Sequence, residues 1–228
     1  MRRIFDEELQ DLDNSFSQMG KMVARTVDKA TKAFVEHDEK TAESIIDRDS
    51  EINEHEAAVE KKTFEMIALY QPVSTDLREV ITILKVVSVL ERVGDQARNI
   101  AQATIRIKNR SKDSKRDVEI EKLLSKLSEL SSESIDQILD AYINDDAKTA
   151  EKIAESVSEI SNQVNKIRNA AIKAMQADPA FVEASTDYIV VAGYLRRIAD
   201  YSTDIAEWIL YKRTGKIVDL NPGSSAFI

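Results

Sequence analysis

The sequence predicts an all-α protein built from two tandem three-helix bundles, six long helices in all, and three observations predict it. Turn residues are scarce, with five Gly and three Pro among 228 residues, and few turns mean long elements with few connections. Hydrophobic and charged residues make up 43% and 32% of the chain, which suits amphipathic helices with solvated outer faces. The chain also repeats itself. Asp38-Glu39-Lys40-Thr41-Ala42-Glu43-Ser44-Ile45 returns 108 positions later as Asp146-Ala147-Lys148-Thr149-Ala150-Glu151-Lys152-Ile153. Arg92-Val93-Gly94-Asp95 returns 105 positions later as Arg197-Ile198-Ala199-Asp200, and Pro72 and Pro179 lie 107 apart. Three anchors at nearly one offset indicate a tandem duplication, and so a pseudo-twofold internal repeat.

Each half reads as three helices. The first helix covers Phe5 to Phe34 and the second Lys40 to Leu69. Pro72 ends that run, because a residue with fixed φ and no N–H cannot continue a helix. The third starts near Asp76, which forms a capping-box-like pair with Glu79, and runs to Lys108. Polar Asn109 to Arg116 reads as the link between halves. The second half reads as Val118 to Tyr142, Asp146 to Met175, and Pro179 to Arg213, with Pro179 in a first turn and Gly215 as the stop. The expected units are residues 1–110 and 117–215, followed by a loose tail at 216–228 that includes Leu220-Asn221-Pro222-Gly223.

The third helix is apolar on more than one side. Val80, Ile83, Val87, Leu90, Gly94, Ala97 and Ala101 alternate at spacings of three and four, and Val86, Val93 and Ile100 widen the stripe. A helix this apolar is expected to be central. Gly94, Gly193 and Ala199 lack bulk and would let the third and sixth helices approach a neighbour closely.

Composition removes several functions. A net charge of −9 argues against nucleic acid as a partner, since that binding is driven by cations displacing counterions. Arg106, Lys108, Arg110 and Lys112 form a short basic cluster that reads either as a solvated helix end or as a phosphate-binding patch. No cysteine is present, which excludes disulfides and thiolate metal sites and suits a cytoplasmic location. The N-terminal residues carry acids where a signal peptide needs an apolar stretch, and no apolar run approaches ~18 residues. Direct membrane insertion is therefore not expected.

The candidate chemistry is acidic. Glu91 and Asp95 stand one turn apart and continue a stripe that begins Leu77, Ile81, Leu84, Ser88. Carboxylates on a half-buried stripe need a partner. Two at i and i+4 can share a hard cation, or they can belong to an ion-pair network with Arg92, Arg98 and Asn99. In the sixth helix Asp200, Asp204 and Glu207 share a face, but Arg196 and Arg197 precede them and favour ion pairing. Asp47, Asp49, Glu51, Glu54 and Glu56 on the second helix read as a wet face, from which Asp49 and Asn53 could point inward together. His37 falls in a helix–helix turn and His55 among acids. Neither makes a Glu-x-x-His ligand pair, and no phosphate loop, nucleophile elbow or HExxH motif occurs. No catalytic residue is assigned, and Trp208 and Tyr194 read as core or dimer contacts.

Gln71-Pro72-Val73-Ser74-Thr75-Asp76-Leu77-Arg78, followed by Leu90-Glu91-Arg92-Val93-Gly94-Asp95-Gln96-Ala97-Arg98-Asn99-Ile100-Ala101, closely resembles the PhoU family. The second half echoes the pattern in Asp178-Pro179 and in Leu195 to Glu207. The resemblance implies a spectrin-repeat-like, PhoU-like fold and a cytoplasmic regulatory adaptor of phosphate homeostasis that is not an enzyme. Such proteins restrain phosphate uptake and the phosphate-starvation two-component response. They contact the ATPase subunit of the phosphate ABC transporter (PstB-like) and a sensor histidine kinase (PhoR-like) at the inner membrane face. They are usually homodimers, and several hold metal through paired acids. Carried over, those pairs fall on Asp49 with Asn53 and on Glu91 with Asp95 in the first half. In the second half they fall on Val157 with Ser161 and on Arg196 with Asp200. The resemblance thus implies at most one metal site, for a divalent, iron or zinc ion, in the first repeat, with Asp200 as a remnant. The alternatives are a metal-binding helical-bundle enzyme, which would need ligands this chain lacks, and a purely structural coiled-coil interaction protein, which would need an unbroken heptad pattern.

Overall fold

The repeated octapeptide turns out to be the N-terminal cap of a helix, used twice. In the computed structural model, which describes residues 2–108 and 115–220, Asp38 accepts from the backbone N–H of Thr41 and, at 2.6 Å, from its hydroxyl. Asp146 does the same for Thr149, with the hydroxyl bond at 2.7 Å. The residue before each cap, His37 or Asp145, has positive φ at 57° and 51°. The backbone N–H of each capping residue returns to the end of the previous helix, Asp38 to Ala33 and Asp146 to Ala141. Removing such a cap costs about 1 kcal/mol, so one cap and one reversal define the hairpin in both repeats.

The first repeat comprises α1 (Arg2–Glu36), α2 (Glu39–Asp47), α3 (Asp49–Tyr70) and α4 (Ser74–Lys108). The second comprises α5 (Val118–Ile143), α6 (Ala147–Ala177) and α7 (Val182–Thr214). No strand occurs among the described residues. Several boundaries differ from the sequence reading. The expected second helix is jogged at Arg48, whose ψ of 5° interrupts the ladder and whose N–H bonds to Ile46. Gln71 closes α3 in the left-handed region, and α4 begins at Ser74. Asp76 therefore sits inside the first turn, where its charge meets the positive helix end. Glu79 is not a box partner, since it pairs across to Lys212 Nζ at 2.7 Å. Pro179 opens a 3-10 turn, Pro179–Phe181, capped by Asp178. The tail is anchored at its start, where the Leu220 N–H donates to Glu207 and the side chain packs on the core. Most of the expected link at Asn109 to Arg116, and the tail from 221, lie outside the described residues.

α4 and α7 pack on each other, as do α1 and α5. Both pairs are antiparallel. Glu79 meets Lys212 while Arg106 meets Asp187, and Tyr142 donates to Asp13 while His37 faces Glu121. Val80, Ile83, Val86, Val87, Leu90, Val93, Ala97, Ile100 and Ala101 are all fully buried. Burying each of the larger aliphatic side chains contributes about 1.5–3 kcal/mol, so the stripe on α4 anchors the shared core. Gly94 carries the close approach, because a Cβ there would lie 2.9 Å from Ile52 Cδ1. Gly193 does not, having nothing within 4 Å of that position. Trp208 and Tyr194 are half-buried against the core.

Candidate functional site: an acidic face on the first repeat

The stripe Leu77, Ile81, Leu84, Ser88, Glu91, Asp95 is half-buried throughout and faces α2 and α3. The jog at Arg48 starts α3 at Asp49 and turns that carboxylate toward α4. Arg98 lies between two of the acids, its Nε 3.6 Å from Asp49 Oδ2 and its Nη1 3.9 Å from Asp95 Oδ1. Burial pushes the Asp49 carboxyl up, Arg98 opposes that, and Asp95 adds to it. Burial also pushes Glu91 up, reinforced by Asp95, Glu56 and Asp49, with Arg92 opposing. Glu56 is raised by burial as well. One residue departs from the carried-over set. Asn53 is exposed, because Ile52 takes the position facing Gly94 and the next residue turns about 100° away.

Among the described residues, no group of three or more His, Cys, Asp or Glu side chains is arranged to hold an ion. The cation nearest Asp49 and Asp95 is Arg98, and its charge would repel a metal placed between them. Of the pairing alternatives in the sequence, the ion-pair network is the one the geometry displays.

In the second repeat, Arg196 stands where Glu91 stands in the first. Arg196 Nε lies 3.9 Å from Asp200 Oδ2, too far for a hydrogen bond, and neither Arg196 Nε nor Asp200 Oδ1 has another partner among the described residues. Burial raises the Asp200 carboxyl against the pull of Arg196 and Arg197. Asp204 is pushed up to about 6 by burial and then by Glu207, with Arg92 opposing. Val157, at the other carried-over position, is a buried core residue. Of the basic cluster at 106–112, Arg106 pairs with Asp187 at 3.8 Å, and the side chains of the rest lie outside the described residues.

The residue with the strongest polar environment escaped the sequence reading. Glu121 accepts from both Arg116 Nε and Nη2 at 2.9 and 2.8 Å and from the Tyr188 hydroxyl at 2.8 Å, with His37 Nε2 at 3.3 Å. Burial alone would raise its pKa, yet those hydrogen bonds hold it at about 2. His37 belongs to the first repeat, Arg116 to the link, and Glu121 and Tyr188 to the second. Their spread from His37 to Tyr188 leaves no local spacing that could reveal the group. Arg78, the last residue of the Gln-Pro motif, donates from Nε to the Lys212 carbonyl at 3.2 Å. That motif thus places a cation at the C-terminal end of α7.

The PhoU domain matches residues 16–104 and again residues 124–209. The chain is 34% identical over 221 residues to a "Phosphate-specific transport system accessory protein PhoU homolog" of Streptococcus pneumoniae serotype 4, covering 97% of this chain and 100% of that one. A protein of the same description from Clostridium acetobutylicum is 33% identical, with 96% and 99% covered. The crystal structure of the phosphate transport system regulatory protein PhoU from Streptococcus pneumoniae superposes with a TM-score of 0.86 at 32% identity, covering 94% of this chain and 99% of that one. PhoU from Pseudomonas aeruginosa gives 0.86 at 25% identity, covering 93% and 100%. With both repeats matched, relatives covered end to end and the helices superposed, the chain belongs to the PhoU family.

Proposed function

We propose that this protein is a regulatory adaptor of phosphate transport. It restrains phosphate uptake and the starvation response by contacting the transporter's ATPase subunit and a sensor histidine kinase. The observation that carries the reading is the end-to-end match to proteins described as phosphate-transport accessory proteins, with both repeats included. The reading assigns no catalytic residue. It places the chain at the cytoplasmic membrane face through its partners, in keeping with described helices none of which is long and apolar enough to cross a membrane. Phe64, Leu69 and Val73, exposed around the end of α3, supply apolar surface for such contacts or for a second copy.

Deletion of the gene tests the reading. Starvation-responsive phosphatase output should rise in phosphate-rich medium, and the cloned gene should bring it down again. Unchanged output and unchanged uptake in both rich and poor phosphate would reject it. A metal on the acidic face would have to displace Arg98 and be held by Glu91 and Asp95. Metal analysis of purified protein decides that point. Equal, negligible metal in the native protein and in Glu91→Ala/Asp95→Ala leaves Arg98 as the counter-ion, whereas near-stoichiometric metal lost in the variant would establish the ion.

A further inference from the structure

A chain of net charge −9 gathers six cations around one cavity of about 770 Å³. Lys21, Arg25 and Lys29 come from α1, Lys40 from the first turn of α2, Arg48 from the jog and Arg98 from α4. Ile45 and Ile52, both nearly buried, supply the apolar part of its lining. Only two acids line it, and both are engaged. Asp49 faces Arg98 at 3.6 Å, and Glu51 accepts from Arg48 Nε and Nη2 at 2.8 and 2.9 Å.

That leaves Lys21, Arg25 and Lys29, none of which forms an ion pair among the described residues, and Lys40, whose charge also acts on Asp38. Three of them follow at four-residue intervals along α1, an arrangement in which like charges repel across each turn. Propensity does not require it, because Gln or Glu would suit the helix as well. The cost is relieved when an anion enters. Three uncompensated cations and a partly compensated Lys40 exceed what one orthophosphate can neutralise and approach the about four negative charges of a triphosphate chain. The volume lies within the about 300–1,000 Å³ typical of small-molecule sites. No aromatic side chain lines the cavity, so no ring is available to stack on a base, and the phosphate chain itself is the feature recognised.

We propose that this basic cavity of the first repeat binds a small polyanion carrying a chain of phosphates, either a nucleoside triphosphate or inorganic tripolyphosphate. The inference is independent of the adaptor reading, since binding is measured on the purified chain. Isothermal titration of the full-length protein at physiological salt is the test, with ATP, tripolyphosphate, orthophosphate and a deca-glutamate peptide in separate runs. A Kd below about 1 mM is expected for a triphosphate. Orthophosphate and the peptide should bind at least about tenfold more weakly, as compact charge is lost. Equal affinity for ATP and tripolyphosphate assigns recognition to the chain alone, and tighter ATP binding assigns part of it to the apolar lining; both support the site. Lys21→Gln/Arg25→Gln/Lys29→Gln should lose at least about tenfold in affinity, while removing three exposed lysines elsewhere (Lys61→Gln/Lys122→Gln/Lys126→Gln) should change it less than about twofold. All these lysines and Arg25 are exposed, and unchanged helical circular dichroism checks folding. No heat with either triphosphate, equal loss in the two triple variants, or preferential binding of the peptide would each overturn the proposal.

Discussion

The two repeats share a backbone and oppose each other in charge. At the 108-residue offset that superposes their hairpin caps, Lys21, Arg25 and Lys29 of α1 become Glu129, Glu133 and Gln137 of α5. At the 105-residue offset of the third helices, Glu91, Asp95 and Arg98 become Arg196, Asp200 and Thr203. The first repeat therefore carries a basic cavity beside a partly neutralised acidic face, and the second carries neither in that form. What both copies keep is the framework. Asp38 and Asp146 cap equivalent helices, and Glu79–Lys212 and Asp187–Arg106 pair across the same contact from opposite ends. Duplication preserved the parts that reverse the chain and join the bundles, while the outward charges diverged.

The largest test of this comparison concerns the acids at equivalent positions in α1 and α5, Asp13 and Glu121. Asp13 is raised by burial and by Glu79, so its charge is poorly compensated. Glu121 is strongly compensated. Glu121→Ala should cost about 3 kcal/mol by removing the acceptor of the buried Tyr188 hydroxyl and the partner of Arg116, and Asp13→Ala about 1 kcal/mol or less. Urea unfolding measures both, and equal losses would break the asymmetry.

The pH dependence should run in opposite directions at two carboxylates. Glu121 has its folded pKa depressed from 4.5 to about 2. Its contribution of about 3 kcal/mol is full above pH 4.5 and lost as pH falls toward 2. Asp204 is raised from 3.8 to about 6. Its ionisation costs about 3 kcal/mol, stability being full below 3.8 and lost as pH rises through 6. Thermal melts from pH 3 to 8 should show the acid-side loss flattened in Glu121→Gln and the neutral-side loss flattened in Asp204→Asn. A profile unchanged by either substitution contradicts the assignment.

The glycines give a smaller effect. Gly94→Ala should destabilise by about 1 kcal/mol, because the new methyl meets Ile52 at 2.9 and 3.3 Å. Gly193→Ala should stabilise by about 0.5–1 kcal/mol, since its side is open and Ala favours the helix. The smallest effect is Arg98→Ala, at about 0.5 kcal/mol for a partly exposed ion pair.

How much of this was legible follows from where the information sits. Helix number, the two hairpins and the buried stripe on α4 were readable because each is written in periodicity or in a repeated cap a few residues long. The jog at Arg48 was not, since no Pro or Gly marks it and its cause is tertiary: Ile52 seats against Gly94 while Asp49 turns toward Arg98. That one rotation also sent Asn53 outward and out of the acidic set. Gly193 looked like a contact glycine because Gly94 is one, but α7 has no neighbour there. The network around Glu121 joins both repeats and leaves no local trace. The basic residues Lys21, Arg25 and Lys29 stand at intervals of four on α1, a spacing the sequence reading passed over. Its meaning appears only when Lys40 and Arg98 arrive from other helices.

Whether the basic cavity of the first repeat serves the proposed regulation is tested most directly by complementation. In the deletion strain grown in rich phosphate, two variants of equal abundance and helicity are compared, Lys21→Gln/Arg25→Gln/Lys29→Gln and its second-repeat counterpart Glu129→Gln/Glu133→Gln. The account predicts that starvation output stays high with the first and returns to the repressed level with the second. Full repression by the first variant, or failure confined to the second, would contradict it.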